Sequence, residues 1–581
     1  MADEKWMIRG KKADFRAIGE EFSIDPVTAR VLVNRGITER EAIRKFLRGN
    51  EEDYYPPEKL LGLSDAAGLL YRRVREQSRI RIIGDYDIDG VCSTYILYRA
   101  ISLAGGKADY AIPHRITDGY GLNERLVDKA YEDGIGTIIT CDNGISAGAA
   151  IRKAKDYGMT VILTDHHEIP EGEDGQILPP ADVVVDPKQA GDTYPWPHIC
   201  GAVVAWKLVK VFFGLAGIPL REWEKLKVFA AIATVGDVMP LLDENRILVR
   251  EGLKAIGQTE NIGLRELVRA NNLDPARITA FQVGFVLGPC INAAGRLESA
   301  DTALELFLAE DRETAEKLAL HLKDLNEKRK SMTEEGVEAA RKLVEEEYSS
   351  DRVLVIYLPG CHESLAGIIA GRLREYYGKP SIVLADGEKA VKGSARSVDS
   401  YHMFKKLSEV RDLMLQFGGH PLAAGLSIRK ENIGIFRKEL NERCRLSDED
   451  LVEKVWIDVP MPMEYVSESL IEELESLEPF GQGNERPVFA ERNLFIREAR
   501  VLGKNRNVVR LTLAEPSGHV CAAVVFTDGD GFLKERNGRM RMDMIYYPEI
   551  NEYNGFRTIQ AVVKKYRFRE DEEPFPSGSG R

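Results

Sequence analysis

The stretch "RIRIIGDYDIDG" (residues 79–90) joins a β-branched apolar run to three aspartates spaced two residues apart. Asp85, Asp87 and Asp89 open as a calcium-binding loop does, D-x-D-x-D-G. That loop needs a helix before it and a bidentate Glu at its twelfth position. Here the preceding "RIRII" reads as a buried strand, and the twelfth residue counted from Asp85 is Ile96. The calcium loop is therefore excluded at both ends. What remains is a strand that stops at Gly84 and delivers three carboxylates, which period-two alternation points one way if the backbone stays extended. "VCSTYILYRAISLAGG" (91–106) then has helical spacing and a Gly-Gly stop. Carboxylates between a strand end and a helix start are where an open α/β sheet builds its sites. A solvated acidic turn is the plain alternative.

The same pattern recurs downstream. "GTIITCD" (136–142) and "TVILTDHH" (160–167) are apolar runs ending in Asp142 and in Asp165, His166 and His167. A single aspartate there is as well read as a helix cap, but three coincidences on one sheet edge make capping a poor joint explanation. Asp237 in "AAIATVGDVMPL" (230–241) follows a further apolar stretch that is strand or helix. Asp85, Asp87, Asp89, Asp142, Asp237 and a histidine pair, with no thiolate, suit Mn²⁺ or Mg²⁺ better than structural zinc. So many converging anions repel one another unless cations lie between them. Two divalent ions sharing one Asp satisfy the set, an arrangement used for in-line displacement at phosphorus.

The bulk numbers narrow the class. The chain has 581 residues, enough for three or four domains. Its net charge of −13 argues weakly against a nucleic-acid partner, although a local basic groove or a metal handles phosphates regardless of the total. Seven scattered cysteines without a C-x-x-C pair fit reduced thiols and a cytoplasmic setting. Neither a membrane span nor a signal peptide is expected.

Alternating strand and helix patterns predict a parallel sheet over 56–301, after a small helical extension over 1–55. A charged stretch over 302–350 reads as a long solvated connecting helix. A smaller α/β domain is expected over 351–452, a short-stranded β-barrel over 453–568 and a polar disordered tail over 569–581. In the smaller domain "KGSAR" (392–396) places Lys392, Ser394 and Arg396 together as a phosphate clamp, with Arg296 and Arg372 as further candidates. For any one of these arginines a surface ion pair is the bland reading. In the barrel, Lys504, Arg506 and Arg510, with Tyr546, Tyr547 and Tyr553, offer the cations and aromatics of a single-strand groove, although core packing is the commoner role of any one tyrosine.

"GDYDIDG", "DNG", "DHH" (165–167) and "TVGDVMPL" together resemble all four acidic motifs of the DHH phosphoesterase superfamily. "IPHRITDGYGLN" (112–123), "CGAVVAWKL" (200–208), "LGPCINAAGRLESADTALELFL" (287–308), "KGSARSVDS" (392–400), "QFGGHPLAAGLSI" (416–428) and "LEPFGQGNERPVF" (477–489) look like its single-stranded-DNA-specific exonucleases. The resemblance runs from about residue 60 to 567. It implies a DHH catalytic domain, a DHH-associated substrate domain and an OB-fold. It implies metal ligation by Asp87, Asp89, Asp142, His166 and Asp237, with Asp142 as the bridge and Asp85 either a further ligand or a supporting acid. His167 would touch the scissile phosphate or move a proton, and Asp165 would orient a histidine. Gly418, Gly419 and His420 match the signature of the DHH-associated domain, where glycines admit an anion to the backbone.

The activity implied is a Mn²⁺- or Mg²⁺-dependent 5′→3′ exonuclease that hydrolyses single-stranded DNA to 5′-mononucleotides in repair and recombination. It would act as a monomer, with a single-stranded-DNA-binding protein and a helicase as partners and no membrane. A DHH phosphodiesterase of short oligoribonucleotides or cyclic dinucleotides is the alternative, against which the barrel and "LEPFGQGN" count. A scaffold protein with decayed motifs is disfavoured by intact Asp and His at every metal position. Two departures stand out: Gly236 where Ala is expected, and Cys290 where Arg is common.

Overall fold

"RIRII" forms a strand, Arg79–Ile83 (β1), with four of its five residues buried. The helix after it, Ile88–Leu103 (α1), is followed by the strands Lys107–Ala111 (β2), Thr137–Cys141 (β3), Thr160–Thr164 (β4) and Val183–Val185 (β5). All pair in parallel in the order β2-β1-β3-β4-β5. Every residue of β3 and β4 is buried, as a parallel sheet covered on both faces requires. The strand order reverses between β1 and β3, and a doubly wound sheet binds its ligand outside the carboxyl ends at that point. The loops leaving those two strands carry Asp85 and Asp142.

The structure, a computed structural model, describes residues 4–173, 175–553 and 555–570. Its chain divides into two compact units, one mainly of residues 50–453 and the other of 4–49, 454–480 and 484 onward. In the first, helix Gly201–Ala216 (α2) packs on the parallel sheet and on α1, and Lys227–Gly236 (α3) and Gly288–Leu297 (α4) pack on α1, around a core that includes Val91, Trp206, Phe229 and Phe307. The charged region splits. A short helix, Asp301–Leu308, ends before Asp311, whose side chain accepts from Thr314 N at 2.9 Å and starts a fresh helix, Arg312–Leu343 (α5). α5 is not solvated all round, for it buries Ala315, Ala319, Leu322 and Leu325 on one stripe.

A smaller sheet follows in the same unit. Leu354–Leu358 (β6) leads through the helix Ala366–Tyr377 (α6) to Ser381–Ala385 (β7), Val391–Arg396 (β8), Met414–Gly419 (β9) and Ala423–Ile428 (β10). Their order is β9-β10-β8-β7-β6, parallel only between β6 and β7.

In the second unit, strands Phe489–Leu502, Val508–Ala514, Val520–Phe526, Phe556–Arg569 and Arg541–Tyr553 pair in turn. The last returns to the first, closing a barrel. Phe489–Leu502 shows no clean alternation in sequence, because Asn493 at φ +61° and a bulge between Glu491 and Leu494 interrupt it. The N-terminal extension is not purely helical either. Glu4–Ile8 is a strand paired with Glu453–Ile457, a partner too distant for any local pattern to reveal. Tyr546 is fully buried, its hydroxyl donating to Met461 O at 2.8 Å, whereas Tyr547 is partly open beneath Arg486. The Tyr553 side chain and residues 571–581 of the expected tail lie outside the described residues.

Lys207 on α2 donates to Glu244 at 3.0 Å with both side chains almost wholly buried. Lys207→Met leaves that carboxylate buried without its cation, so the calorimetric transition of the first unit should lose about 3–5 kcal/mol.

Candidate metal centre

α1 begins early enough to change how "DYDIDG" presents its acids. Asp87 is the N-cap, its Oδ1 accepting from Asp89 N at 2.9 Å and Gly90 N at 3.2 Å. Asp85 closes the strand and Asp89 lies in the first helical turn, so the three carboxylates converge through a strand-to-helix corner and not through β alternation. Asp89 is fully buried, with Oδ2 accepting from Gly201 N at 2.6 Å and Oδ1 from Ala202 N at 2.7 Å. This is a carboxylate on a helix N-terminus. A Cβ on Gly201 would stand 2.7 Å from Asp142 Cβ, so the glycine of "CGAV" is what lets α2 reach the site.

Asp142 takes φ +62°, a left-handed conformation held by its neighbours. Asn143 fixes that turn, donating to Ile83 O at 3.0 Å and Cys141 O at 2.9 Å and accepting from Leu122 N at 3.1 Å. His166 Nε2 stands 3.1 Å from Asp142 Oδ1, 3.5 Å from Asp89 Oδ2 and 3.7 Å from Asp237 Oδ2. Asp237 comes from the C-cap of α3, so its apolar run is helix. Potential ligand atoms group within 4.8 Å as Asp85–Asp87–Asp142, as Asp89–His166–Asp237 and as Asp142–His166–His167. The structure thus gathers every aspartate and histidine of the sequence-predicted cluster.

The electrostatics of the cluster ask for cations. Burial, then repulsion from the other carboxylates, pushes Asp85, Asp142 and Asp237 well above the usual carboxylate range. Asp85 Oδ1 and Asp237 Oδ2 are buried without a hydrogen-bond partner. Hard oxygen donors with unused lone pairs and one shared imidazole fit divalent Mn²⁺ or Mg²⁺. Asp165 behaves differently. Burial raises it, but hydrogen bonds from His167 and the Ile145 N–H hold it below the usual range. Its Oδ1 lies 2.8 Å from His167 Nδ1, and although burial opposes it, this bond lifts His167 to about 9.

Three residues near the cluster escape the sequence reading. Tyr120 donates to Asp142 O at 2.9 Å and stands 3.1 Å from His167 Nδ1; a tyrosine between two glycines is the only local signal. Asp186 ends β5 on the same sheet edge, and burial raises it to about 7. "DVVVDPK" repeats the run-then-acid pattern, but with too short a run to stand out. Arg115 lies 3.8 Å above the Tyr86 ring with its Nε buried and unpartnered.

Arg296, on α4, donates to Ser364 O at 3.0 Å just before α6. Burial, then Arg115 and Arg329, pushes Arg296 down to about 10, and Asp87 is near enough to oppose them. These cations lie within electrostatic reach of one another and of Asp87. Cys290 is buried and accepts from Asn326 Nδ2, and the Oδ1 of that asparagine accepts from Arg329 Nε at 3.0 Å, one turn further along α5. Gly236 also has its reason: a Cβ there would fall 2.5 Å from Ile88. On β8, Lys392, Ser394 and Arg396 share one face, and a Cβ on Gly367 of α6 would sit 3.1 Å from the Arg396 guanidinium. Lys392 is exposed, and Arg372 pairs with Glu375 at the surface while lying near enough to Arg329 to disfavour its charge. Gly418, Gly419 (φ +150°) and His420 form an exposed turn. Lys188, and more weakly His420, hold Glu168 below its usual range, which sets this turn facing the loop after His167.

A reversed parallel sheet with this cluster at its switch point defines a DHH-family hydrolase, and the DHH family N-terminal domain matches residues 79–235. The DHHA1 domain matches 350–446 and the RecJ OB domain 457–565. Single-stranded-DNA-specific exonuclease RecJ of Bacillus subtilis is 35% identical over 566 residues, 96% of this chain and 70% of that protein. The Escherichia coli protein of the same name is 32% identical over 565 residues, 93% of this chain and 95% of that one. RecJ from Thermus thermophilus in complex with Mn²⁺ superposes with a TM-score of 0.82 at 28% identity, covering 98% of this chain and 80% of that one. The chain belongs to the RecJ family. Among the described residues, no helix is long and apolar enough to cross a membrane.

If the cluster is a cation site, Mn²⁺ at a hundred times its Kd should stabilise the protein by about 2.7 kcal/mol. Asp142→Ala should abolish that thermal shift while keeping the native circular-dichroism spectrum.

Proposed function

We propose that the protein hydrolyses single-stranded DNA from its 5′ end, releasing 5′-mononucleotides, with two divalent ions in the carboxylate cluster. The observation that carries the polarity is the arginine group: Arg296, held to Ser364 O, and Arg115, held over the Tyr86 ring, lie with Arg329 within electrostatic reach of one another and of Asp87, a like-charge set that calls for an anion. A terminal 5′-phosphate next to the scissile phosphodiester supplies that anion. A relative bound to Mn²⁺ supports the choice of ion.

Asp85, Asp87 and Asp142 would hold one ion, and Asp89, His166 and Asp237 the other, with Asp142 shared. Bound there, divalent cations supply Lewis acidity to the phosphate and lower the pKa of water. The remaining chemistry belongs to the chain. Asp89 has both oxygens on α2, so it anchors one group of ligands to the helix, while Asp85 keeps an unpartnered oxygen and ranks as a ligand. Asp165 holds His167 Nδ1, so the imidazolium presents its other nitrogen toward the cleft. As water adds to phosphorus and the bond to the 3′-oxygen of the terminal nucleotide breaks, His167 stabilises the phosphate charge and returns a proton to that oxygen. The Gly418–His420 turn approaches the phosphate backbone from the smaller sheet.

Single strands labelled at the 5′ or 3′ end, duplex DNA and short RNA, each with Mn²⁺ or EDTA, test the proposal. The expected result is release of 5′-label first, as mononucleotide, from single-stranded DNA only with metal. Preference for a dinucleotide over a long strand would overturn it. Asp142→Ala should lower turnover on the order of 10³-fold or more. Arg296→Ala should erase the preference for 5′-phosphorylated over 5′-hydroxyl ends.

A further inference from the structure

Between Asp274 and Glu298 the chain runs for a full stretch, "PARITAFQVGFVLGPCINAAGRL", without one acidic residue. Its two charges are Arg277 and Arg296, in a protein of net charge −13. Residues Val283–Leu287 within it form a π-helical turn, a distortion that recurs at functional sites. Val283 and Leu287 are buried, but Phe281 and Phe285 are 65% and 67% exposed. The two rings stack on each other, centroids 4.7 Å apart at 26° between planes, with their outer faces uncovered. Isolated exposed aromatics are ordinary, but a stacked pair on one helix is a concentrated apolar surface.

The turn also lies against the metal-bearing loops. A Cβ on Gly284 would stand 3.6 Å from Val235, two residues before Asp237, and one on Gly288 would stand 3.4 Å from Ile88, between Asp87 and Asp89. Val238, which follows Asp237, is itself 64% exposed and held at φ +56°, a strained conformation for a β-branched residue. The aromatic pair therefore lies on a segment that packs against the aspartate loops and carries no acidic residue of its own to repel a polyanion.

We infer that Phe281 and Phe285 are a stacking platform for bases of the single strand outside the cleft. This inference rests on the reading that the enzyme degrades single-stranded DNA. Aromatic rings accept any base because every base has a π-face, and a segment without acids of its own, flanked by Arg277 and Arg296, accommodates the backbone. The platform would make the bases, and not the phosphates alone, part of what the enzyme grips.

The test compares two 5′-phosphorylated strands of equal length, one with all its bases and one carrying abasic spacers beyond the first two nucleotides, on the full-length enzyme with Mn²⁺. The wild type should show a KM about tenfold lower for the base-bearing strand. Phe281→Ala with Phe285→Ala should bring that KM to the spacer value, with the change in KM and not in kcat. Phe281→Tyr with Phe285→Tyr should restore the difference. An alanine variant that still discriminates as the wild type does, or a wild type with equal KM for both strands, would overturn the platform. Failure of the wild type to degrade either strand would instead overturn the functional reading.

Discussion

Asp89 places its two carboxylate oxygens on the first two backbone N–H groups of α2, and the rest of the site depends on those bonds. A buried carboxylate without partners costs several kcal/mol, and a helix N-terminus is one of the few protein groups that offsets it. Once Asp89 is fixed, α2 is close enough that only glycine fits at 201, and Asp142 is pressed into its left-handed turn. His166 then has three carboxylates around one nitrogen. The remaining acids stay mutually repulsive, a reserve of unfavourable energy that cations relieve on binding.

A second relation joins the two sheets of the catalytic unit. Arg296 leaves α4, whose Asn292 accepts from Ile88 N at 2.8 Å, and reaches Ser364 O ahead of α6. A Cβ on Gly295 would fall 2.3 Å from Tyr86 O, so "NAAGR" works by letting one helix lie directly on the loop that carries Asp85 and Asp87. The aspartate loop, the arginine group and the smaller sheet's helix are thereby joined, by a backbone contact at Gly295 that tolerates no side chain and by the hydrogen bond from Arg296.

Much of this was legible locally. Strands β1, β3 and β4 are unbroken apolar runs ending in acids, and a short range of sequence suffices to see them. The groups that a sequence conceals are those whose partners are distant. Tyr120 and His167 meet across loops, and Arg115 matters only because Arg296 and Arg329 are beside it. The orientation of "DYDIDG" turns on a helix that begins at Ile88, ahead of the glycine that seemed to precede it. Phe489–Leu502 hides because its irregularity is a feature of barrel closure, and Glu4–Ile8 because its pairing partner is almost the whole chain away.

That pairing has a consequence for synthesis. Residues 4–49 belong to the same compact unit as 454–480 and the barrel, with the entire catalytic unit between them in sequence. They leave the ribosome before that unit and cannot complete their sheet until the strand at Glu453–Ile457 emerges. The catalytic unit folds meanwhile as an insertion within an unfinished partner. The N-terminal segment thus waits as an open edge while the catalytic unit is made, and its short strand, with Lys5 within it and Arg9 after it, carries the charges that discourage such an edge from pairing elsewhere.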